Sequence, residues 1–192
     1  LSFQMRKEKR VALTWIGEGG SNVGDFHEGL NFAGVLKLPL VVILENNKYA
    51  YSTPLEYQTA AKNFHCRAEG YGMPGVAVDG NDILAMYEVT KKAVDRARAG
   101  RGPTLIEADT MRMRGHAIHD DAGYVPKKMF AQWEKRDPIL TFGRRLKRAG
   151  ILSRKEELAI QAGVRDEVEA AIEDAMAQPL PTGEGETAEV YA

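Results

Sequence analysis

The chain has 192 residues, 26 Lys+Arg against 27 Asp+Glu, and 44% hydrophobic residues. That length suits one domain able to bury roughly 70% of its unfolded surface without a staple. The near balance of charge excludes a sequence-wide basic field for nucleic acid or an acidic membrane, and no apolar run approaches the roughly 20 residues of a spanning helix. Small-molecule chemistry gains weight accordingly. No charged-then-apolar leader opens the chain. The single Cys66 cannot form an internal disulfide, and free thiols are usual in reducing compartments; a cytoplasmic setting is expected, with the mitochondrial matrix as the alternative. The chain runs from Leu1 through Gln4 to Arg10 straight into a strand-like segment, as though entered in the middle of a fold, so a missing N-terminal portion is expected.

Val11 to Ile16 is a short apolar run, followed by Gly17-Glu18-Gly19-Gly20 and a helical pattern from about Asp25. Phe26, Leu30, Phe32, Ala33 and Leu36 space out as its buried face, and Pro39 marks entry to a second strand over Leu40 to Leu44. A third strand over Gly75 to Val78 leads through Asp79-Gly80-Asn81-Asp82 into a helix. The apolar face of that helix comprises Ile83, Leu84, Met86, Tyr87, Val89, Ala93, Val94 and Ala97, and Gly100 and Gly102 end it. Thr104 to Ala108 is a further strand. Strands separated by helices predict an α/β fold, a parallel sheet flanked by helices. After Met111 a polar loop runs through Tyr124, and helical segments near 128–149 and 155–176 give a helical C-terminal portion. Residues 1–177 form one expected domain. The stretch 178–192, with Pro179, Pro181 and an acidic run, is expected to be a flexible tail. No internal repeat is visible.

The first chemical signal is Gly17-Glu18-Gly19-Gly20 after one strand and Asn46-Asn47 after the next. Glycines there let backbone approach a phosphate, and a following helix N-terminus offers N–H donors. Glu18 and Asn47, a carboxylate and an amide oxygen at adjacent strand ends, are hard ligands of the kind magnesium takes together with phosphate oxygens. Either motif alone is weak, since glycine-ended strands and Asn-Asn turns are common. A dinucleotide site is the sharper rival, with Glu45 where a ribose-binding acid sits, but a fingerprint starting at Gly17 needs Gly or Ala at position 22, where Asn22 stands. The second signal is the loop Arg112 to Tyr124 with His116, His119, Asp120 and Asp121. Such a loop is either a transition-metal site or, more commonly, solvated surface. Arg112 and Arg114 are candidate diphosphate contacts. His27, His65 and Cys66 receive no role, because nothing in the sequence marks an activating base beside the thiol. Trp15 and Trp133 are expected in a core or an interface.

Gly17-Glu18-Gly19, an interval of 26 residues and Asn46-Asn47 resemble the thiamine-diphosphate motif. Asp25-Phe26-His27-Glu28-Gly29-Leu30-Asn31-Phe32-Ala33, Glu45-Asn46-Asn47-Lys48-Tyr49-Ala50, Val78-Asp79-Gly80-Asn81-Asp82 and Arg114-Gly115-His116 narrow the likeness. Over about Val11 to Pro179 the chain is similar to the alpha subunits of branched-chain 2-oxo acid, pyruvate and acetoin dehydrogenases. The resemblance implies a thiamine-diphosphate-binding fold and oxidative decarboxylation of a 2-oxo acid with acyl transfer to a lipoyl group. It implies thiamine diphosphate and Mg2+ as cofactors, with Glu18 and Asn47 binding the metal through side chains and Tyr49 through its main-chain carbonyl. By the same likeness Gly19 and Gly20 lie against the diphosphate, and His116 holds the diphosphate side and serves transfer to lipoyl. The implied partners are a beta subunit in an α2β2 heterotetramer, which supplies the glutamate beside the aminopyrimidine, and a lipoyl-bearing acyltransferase. No nucleic acid and no membrane partner are expected.

Two departures stand out. Ala117-Ile118-His119-Asp120 replaces the Ser-x-Ser-Asp stretch that carries a regulatory serine in mitochondrial relatives, and Val125-Pro126 replaces the usual Arg after Tyr124. Kinase control is therefore not expected there, and loop contacts to substrate or partner shift. Which 2-oxo acid is used, or whether acetoin is, stays open. A transketolase-like thiamine enzyme, a nicotinamide dehydrogenase and a non-enzymatic interaction module are the remaining alternatives.

Overall fold

The computed structural model describes residues 1–180 together with Gly183 and Gly185. It falls into two compact units, Leu1–Phe142 and Gly143–Ala192. Most of the expected tail, 178–192, lies outside the described residues.

In the first unit a short helix α1 (Ser2–Met5) precedes β1 (Ala12–Gly17), then α2 (Gly24–Val35) and β2 (Leu40–Asn46). A two-residue-per-strand hairpin follows, β3 (Tyr49–Ala50) with β4 (Thr53–Pro54), and then a 3-10 segment, Phe64–Tyr71. β5 (Gly75–Asp79), α3 (Ile83–Arg98), β6 (Thr104–Asp109) and α4 (Lys127–Glu134) complete the order up to α5 (Pro138–Arg148), which crosses the unit boundary. β1, β2, β6 and β5 lie side by side in that order, all parallel, as the βαβ alternation predicts.

β2 is central and buried on both faces, which is why it reads as an unbroken apolar run rather than an alternation. Val42 and Leu44, with Leu105 of β6, pack against Phe26 and Leu30 of α2 and against Phe64, Ala68 and Met73. Val41 and Ile43, with Ile106 and Ala108, pack against Ala93 of α3. The expected helical faces are narrower than their apolar residues suggested. In α2, Phe26, Leu30 and Ala33 are buried, whereas Phe32 is 50% exposed and Leu36 also faces outward. At about 100° per residue Phe32 lies about 200° round from Leu30, on the opposite side of the cylinder. In α3 only Ala93 and Ala97 are buried; Ile83, Leu84 and Tyr87 are exposed. Trp15, expected in a core or interface, is 56% exposed on edge strand β1.

Asp82 caps α3, its Oδ1 accepting from Leu84 N at 3.0 Å and Ala85 N at 3.2 Å. In the second unit α6 (Arg154–Ala177) starts with a reciprocal capping box between Ser153 and Glu156 and has no buried residue. No helix among the described residues is long and apolar enough to cross a membrane.

Candidate functional site

The parallel register brings the ends of β1 and β2 level, with Gly17 opposite Glu45. The turn after β1 and the turn after β2 therefore open on one cleft at the C-terminal edge of the sheet, where ligands gather in open α/β folds. Gly17, Glu18, Gly19, Gly20, Asn47 and Tyr49 line that cleft with Ala50, Tyr51, Arg112 and His116. All six of the predicted site residues, Glu18, Gly19, Gly20, Asn47, Tyr49 and His116, are thus brought together.

Glu18 is only 1% exposed. Its Oε2 accepts from Asn47 N at 3.1 Å, which ties the two turns together. Its Oε1 and the Oδ1 of Asn47 are both buried and have no hydrogen-bond partner among the described residues. Two orphaned oxygens at one cleft are what a hard cation requires, since a buried polar atom left unpaired otherwise costs on the order of 1–3 kcal/mol. The donor set present in this chain therefore fits magnesium. The Tyr49 carbonyl accepts from Arg112 Nη1 at 2.9 Å, which engages one of its two lone pairs.

Gly19 also has a local packing reason to be glycine. A Cβ on Gly19 would sit 2.6 Å from Ala50 Cβ, so its absence lets the turn after β1 press against the β3–β4 hairpin. The following 3-10 segment, Gly20–Asn22, is held by Ser21 Oγ donating to Glu18 O at 2.6 Å. Arg67 reaches it from outside, donating to Ser21 O at 2.8 Å and Asn22 Oδ1 at 2.7 Å. Burial outweighs its acidic and phenolic neighbours and pulls the Arg67 guanidinium below its ordinary pKa.

His116 reaches the cleft because its loop is fastened at both ends. Met111, Ala122 and Val125 join Tyr49 in a small apolar core, with Tyr124, Met129, Phe130 and Trp133 packed against it. Val125 is buried here, and Pro126 leads into α4. Asp120 is the knot: its Oδ2 accepts from His116 N at 2.6 Å and Tyr124 Oη at 2.7 Å, and its Oδ1 from Ala122 N at 2.9 Å. The His116 N–H foremost, then the Tyr124 hydroxyl, hold the Asp120 carboxyl down at about 2. Gly115 has no room for a side chain, since a Cβ would come within 1.8 Å of Asp120 O. The His116 ring meets Tyr51 edge-on, centroids 5.1 Å apart.

Arg112 lines the cleft but is engaged with protein. Besides Tyr49 O, it donates to Tyr51 O and Tyr124 Oη, each at 2.7 Å, and to Arg114 O at 3.1 Å. It clasps the β3–β4 hairpin to the His116 loop, while Arg114 is exposed. Among the described residues no group of three or more His, Cys, Asp or Glu is placed to hold a metal ion, so His116, His119, Asp120 and Asp121 do not form such a cluster.

Sequence reasoning missed Tyr51 and Ala50, whose contribution rests on the minute β3–β4 hairpin. Tyr51 takes a left-handed backbone, φ 51°, in the turn of that hairpin, a conformation its residue type does not announce. Sequence reasoning also missed the surroundings of His65. Its Nδ1 lies 2.9 Å from Glu107 Oε2, and Cys66 Sγ lies 3.8 Å from its Nε2. His27 hydrogen-bonds the Tyr71 hydroxyl.

The family model described as "Dehydrogenase E1 component" matches residues 1–184, and the chain belongs to that family. It is 44% identical over 193 residues to the 2-oxoisovalerate dehydrogenase subunit alpha of Bacillus subtilis strain 168, a match covering 100% of this chain and 58% of that protein. It is 41% identical over 181 residues to the pyruvate dehydrogenase E1 component subunit alpha of the same organism, covering 93% and 49%. The corresponding subunit of Staphylococcus aureus strain Mu50 is 42% identical over 176 residues, covering 91% and 48%. The chain spans about half the length of the curated relatives it matches.

Proposed function

We propose that this chain forms the diphosphate- and magnesium-binding half of a thiamine diphosphate site, in the alpha subunit of an enzyme that oxidatively decarboxylates a 2-oxo acid. The observation that carries this reading is the pair of buried, unpartnered oxygens, Glu18 Oε1 and Asn47 Oδ1, on the cleft that also holds Gly19, Gly20 and His116. The names of the relatives supply the substrate class, since 2-oxoisovalerate and pyruvate are both 2-oxo acids.

Glu18 and Asn47 would hold the metal through their orphaned oxygens, with the Tyr49 carbonyl as the third protein ligand. Gly19 and Gly20 present backbone to the same cleft and would lie against the diphosphate. When bound, thiamine diphosphate supplies the electron sink that decarboxylation needs. His116, fixed at its backbone by Asp120 and at its ring by Tyr51, stands at the cleft mouth. There it would hold or deliver a proton as the acyl group passes to a lipoyl disulfide. Arg112 keeps that loop against the hairpin and thereby limits water at the site. None of the described residues is assigned as the glutamate that faces an aminopyrimidine. A beta chain in an α2β2 assembly is the proposed source of that group, and a lipoyl-bearing acyltransferase the proposed acceptor.

The test is to assay the full-length subunit with and without its beta chain, with thiamine diphosphate and Mg2+, against a panel of 2-oxo acids. Turnover that requires both chains and the metal is expected. Robust turnover by the alpha chain alone would overturn the two-chain reading.

A further inference from the structure

We propose that Cys66 is a base-assisted nucleophilic thiol, a modification site for small hydroperoxides, in which His65 takes the thiol proton and buried Glu107 fixes the orientation of His65. The three side chains form a line. Cys66 is exposed, and its Sγ lies 3.8 Å from His65 Nε2. The other ring nitrogen, Nδ1, lies 2.9 Å from Glu107 Oε2. Glu107 projects from β6 with only 3% of its surface exposed, its Oε1 accepting from Asn46 Nδ2 at 2.7 Å and its Oε2 from His65 N at 2.9 Å. Burial pushes this carboxyl up, but the His65 N–H, the Asn46 amide and the His65 ring together outweigh it and hold it below the ordinary carboxylate range.

An ionised carboxylate only accepts hydrogen bonds, so Nδ1 must carry the ring hydrogen of neutral His65. The lone pair then lies on Nε2, the nitrogen facing sulfur. This is the order of parts that activates a nucleophile elsewhere: nucleophile, base, and a buried acid that orients the base and stabilises its protonated form. The cluster lies outside the Glu18–Asn47 cleft, none of its members lining it.

In the step proposed, the Cys66 proton passes to His65 Nε2 and sulfur attacks one oxygen of hydrogen peroxide. The S–O bond forms as the O–O bond breaks, and sulfur gives up two electrons to become a sulfenic acid. The departing hydroxide takes a proton and leaves as water. The oxidant is the hydroperoxide itself, and no other reactant is needed.

Cys66 falls in the tryptic peptide 63–67, so its modification can be read on that peptide alone. The full-length assembled enzyme is treated at pH 7 with dilute hydrogen peroxide in the presence of dimedone, which traps sulfenic acid, and labelling of that peptide is followed by mass spectrometry. The urea-unfolded protein is the reference. Labelling at least about 10-fold faster in the folded enzyme, falling to within about a factor of two of the unfolded rate in His65→Asn, supports the proposal. Asn retains a donor for Glu107; should that variant fail to fold, His65→Gln carries the same test. A folded rate at or below the unfolded one, or a fast rate indifferent to His65, overturns it.

Discussion

Two polar clusters sit along the same C-terminal edge of the sheet, and they differ in how their hydrogen-bonding capacity is used. At the ends of β5 and β6, Asp79 Oδ1 accepts from Asn81 N at 2.9 Å and pairs with Arg136 at 3.0 Å. Asp109 pairs with Lys48 and faces Arg136, and both cations lie over the Trp133 ring. Asn81 accepts from Thr110 Oγ1 at 2.7 Å and donates to Arg136 O at 2.9 Å. At the ends of β1 and β2, by contrast, Glu18 and Asn47 each keep a buried oxygen without a partner. A buried oxygen without a partner costs stability, and here two of them face one cleft. The Asp79–Asn81–Asp109 cluster fastens the fold, whereas the proposed function gives the Glu18–Asn47 pair a ligand from outside.

The contrast is broken most directly at Glu18 and Asn47. Replacing either with Ala should weaken Mg2+-dependent thiamine diphosphate binding by about 100-fold or more, since even outer-sphere changes at metal sites cost about 10- to 100-fold. Thermal stability of the cofactor-free assembled enzyme should fall by less than about 1 kcal/mol in Glu18→Gln, which removes a buried charge while keeping an acceptor for Asn47 N. Calorimetric titration and melting curves read the two effects separately. Wild-type cofactor affinity in either Ala variant would remove the metal assignment.

His116→Ala is the next largest effect. Turnover with the lipoyl acceptor should drop by about 100-fold while cofactor affinity changes far less, because general acid-base groups contribute about 100- to 10,000-fold. Turnover within a factor of three of wild type would show that the ring has no such part.

Asn81→Ala inverts the pattern. It removes two side-chain hydrogen bonds worth about 1 kcal/mol each, so stability should fall by about 1–2 kcal/mol while cofactor affinity stays within about twofold. A large loss of cofactor affinity with stability unchanged would erase the distinction between the two clusters.

What the sequence disclosed and what it hid follow from this difference. The strands were legible because β1 and β2 are apolar runs closed by Gly and Asn and because β5 and β6 alternate with a helix, and α3 because the polar turn Asp79–Asp82 precedes a periodic apolar run. Glu18 and Asn47 stood out in the sequence as oxygen donors at adjacent strand ends, His116 chiefly through resemblance to a family pattern; nothing in composition says that an oxygen is left unpaired. The faces of α2 and α3 were over-read, since apolar spacing does not tell a side chain covered by this chain from one left open, such as Phe32 or Tyr87. The Cys66 relay was invisible for a different reason. Cys66 and His65 are neighbours in the chain, but Glu107, which gives the histidine its orientation, is 42 positions away, and only the pairing of β6 with its surroundings brings it close.

The smallest expected effect concerns Asp120, and its sign follows from direction. The His116 N–H and the Tyr124 hydroxyl bind the carboxylate form, so folding lowers its pKa from the ordinary value near about 3.9 to about 2. A carboxyl lowered on folding stabilises the loop fully above about pH 4 and loses that contribution as pH falls through about 2. Tyr124→Phe removes one O–H donor to Asp120 and one acceptor for Arg112. The Asp120 midpoint should then move up towards the ordinary carboxylate value, which carbon-detected NMR titration of the side chain can follow. At neutral pH the carboxylate is ionised in both proteins, so lipoyl-dependent turnover should fall by only a few-fold, from the looser clasp on Arg112. An unmoved midpoint would show that the tyrosine hydroxyl does not hold this anion. His116 would then be positioned by its own N–H contact to Asp120 and its packing on Tyr51, without help from Tyr124.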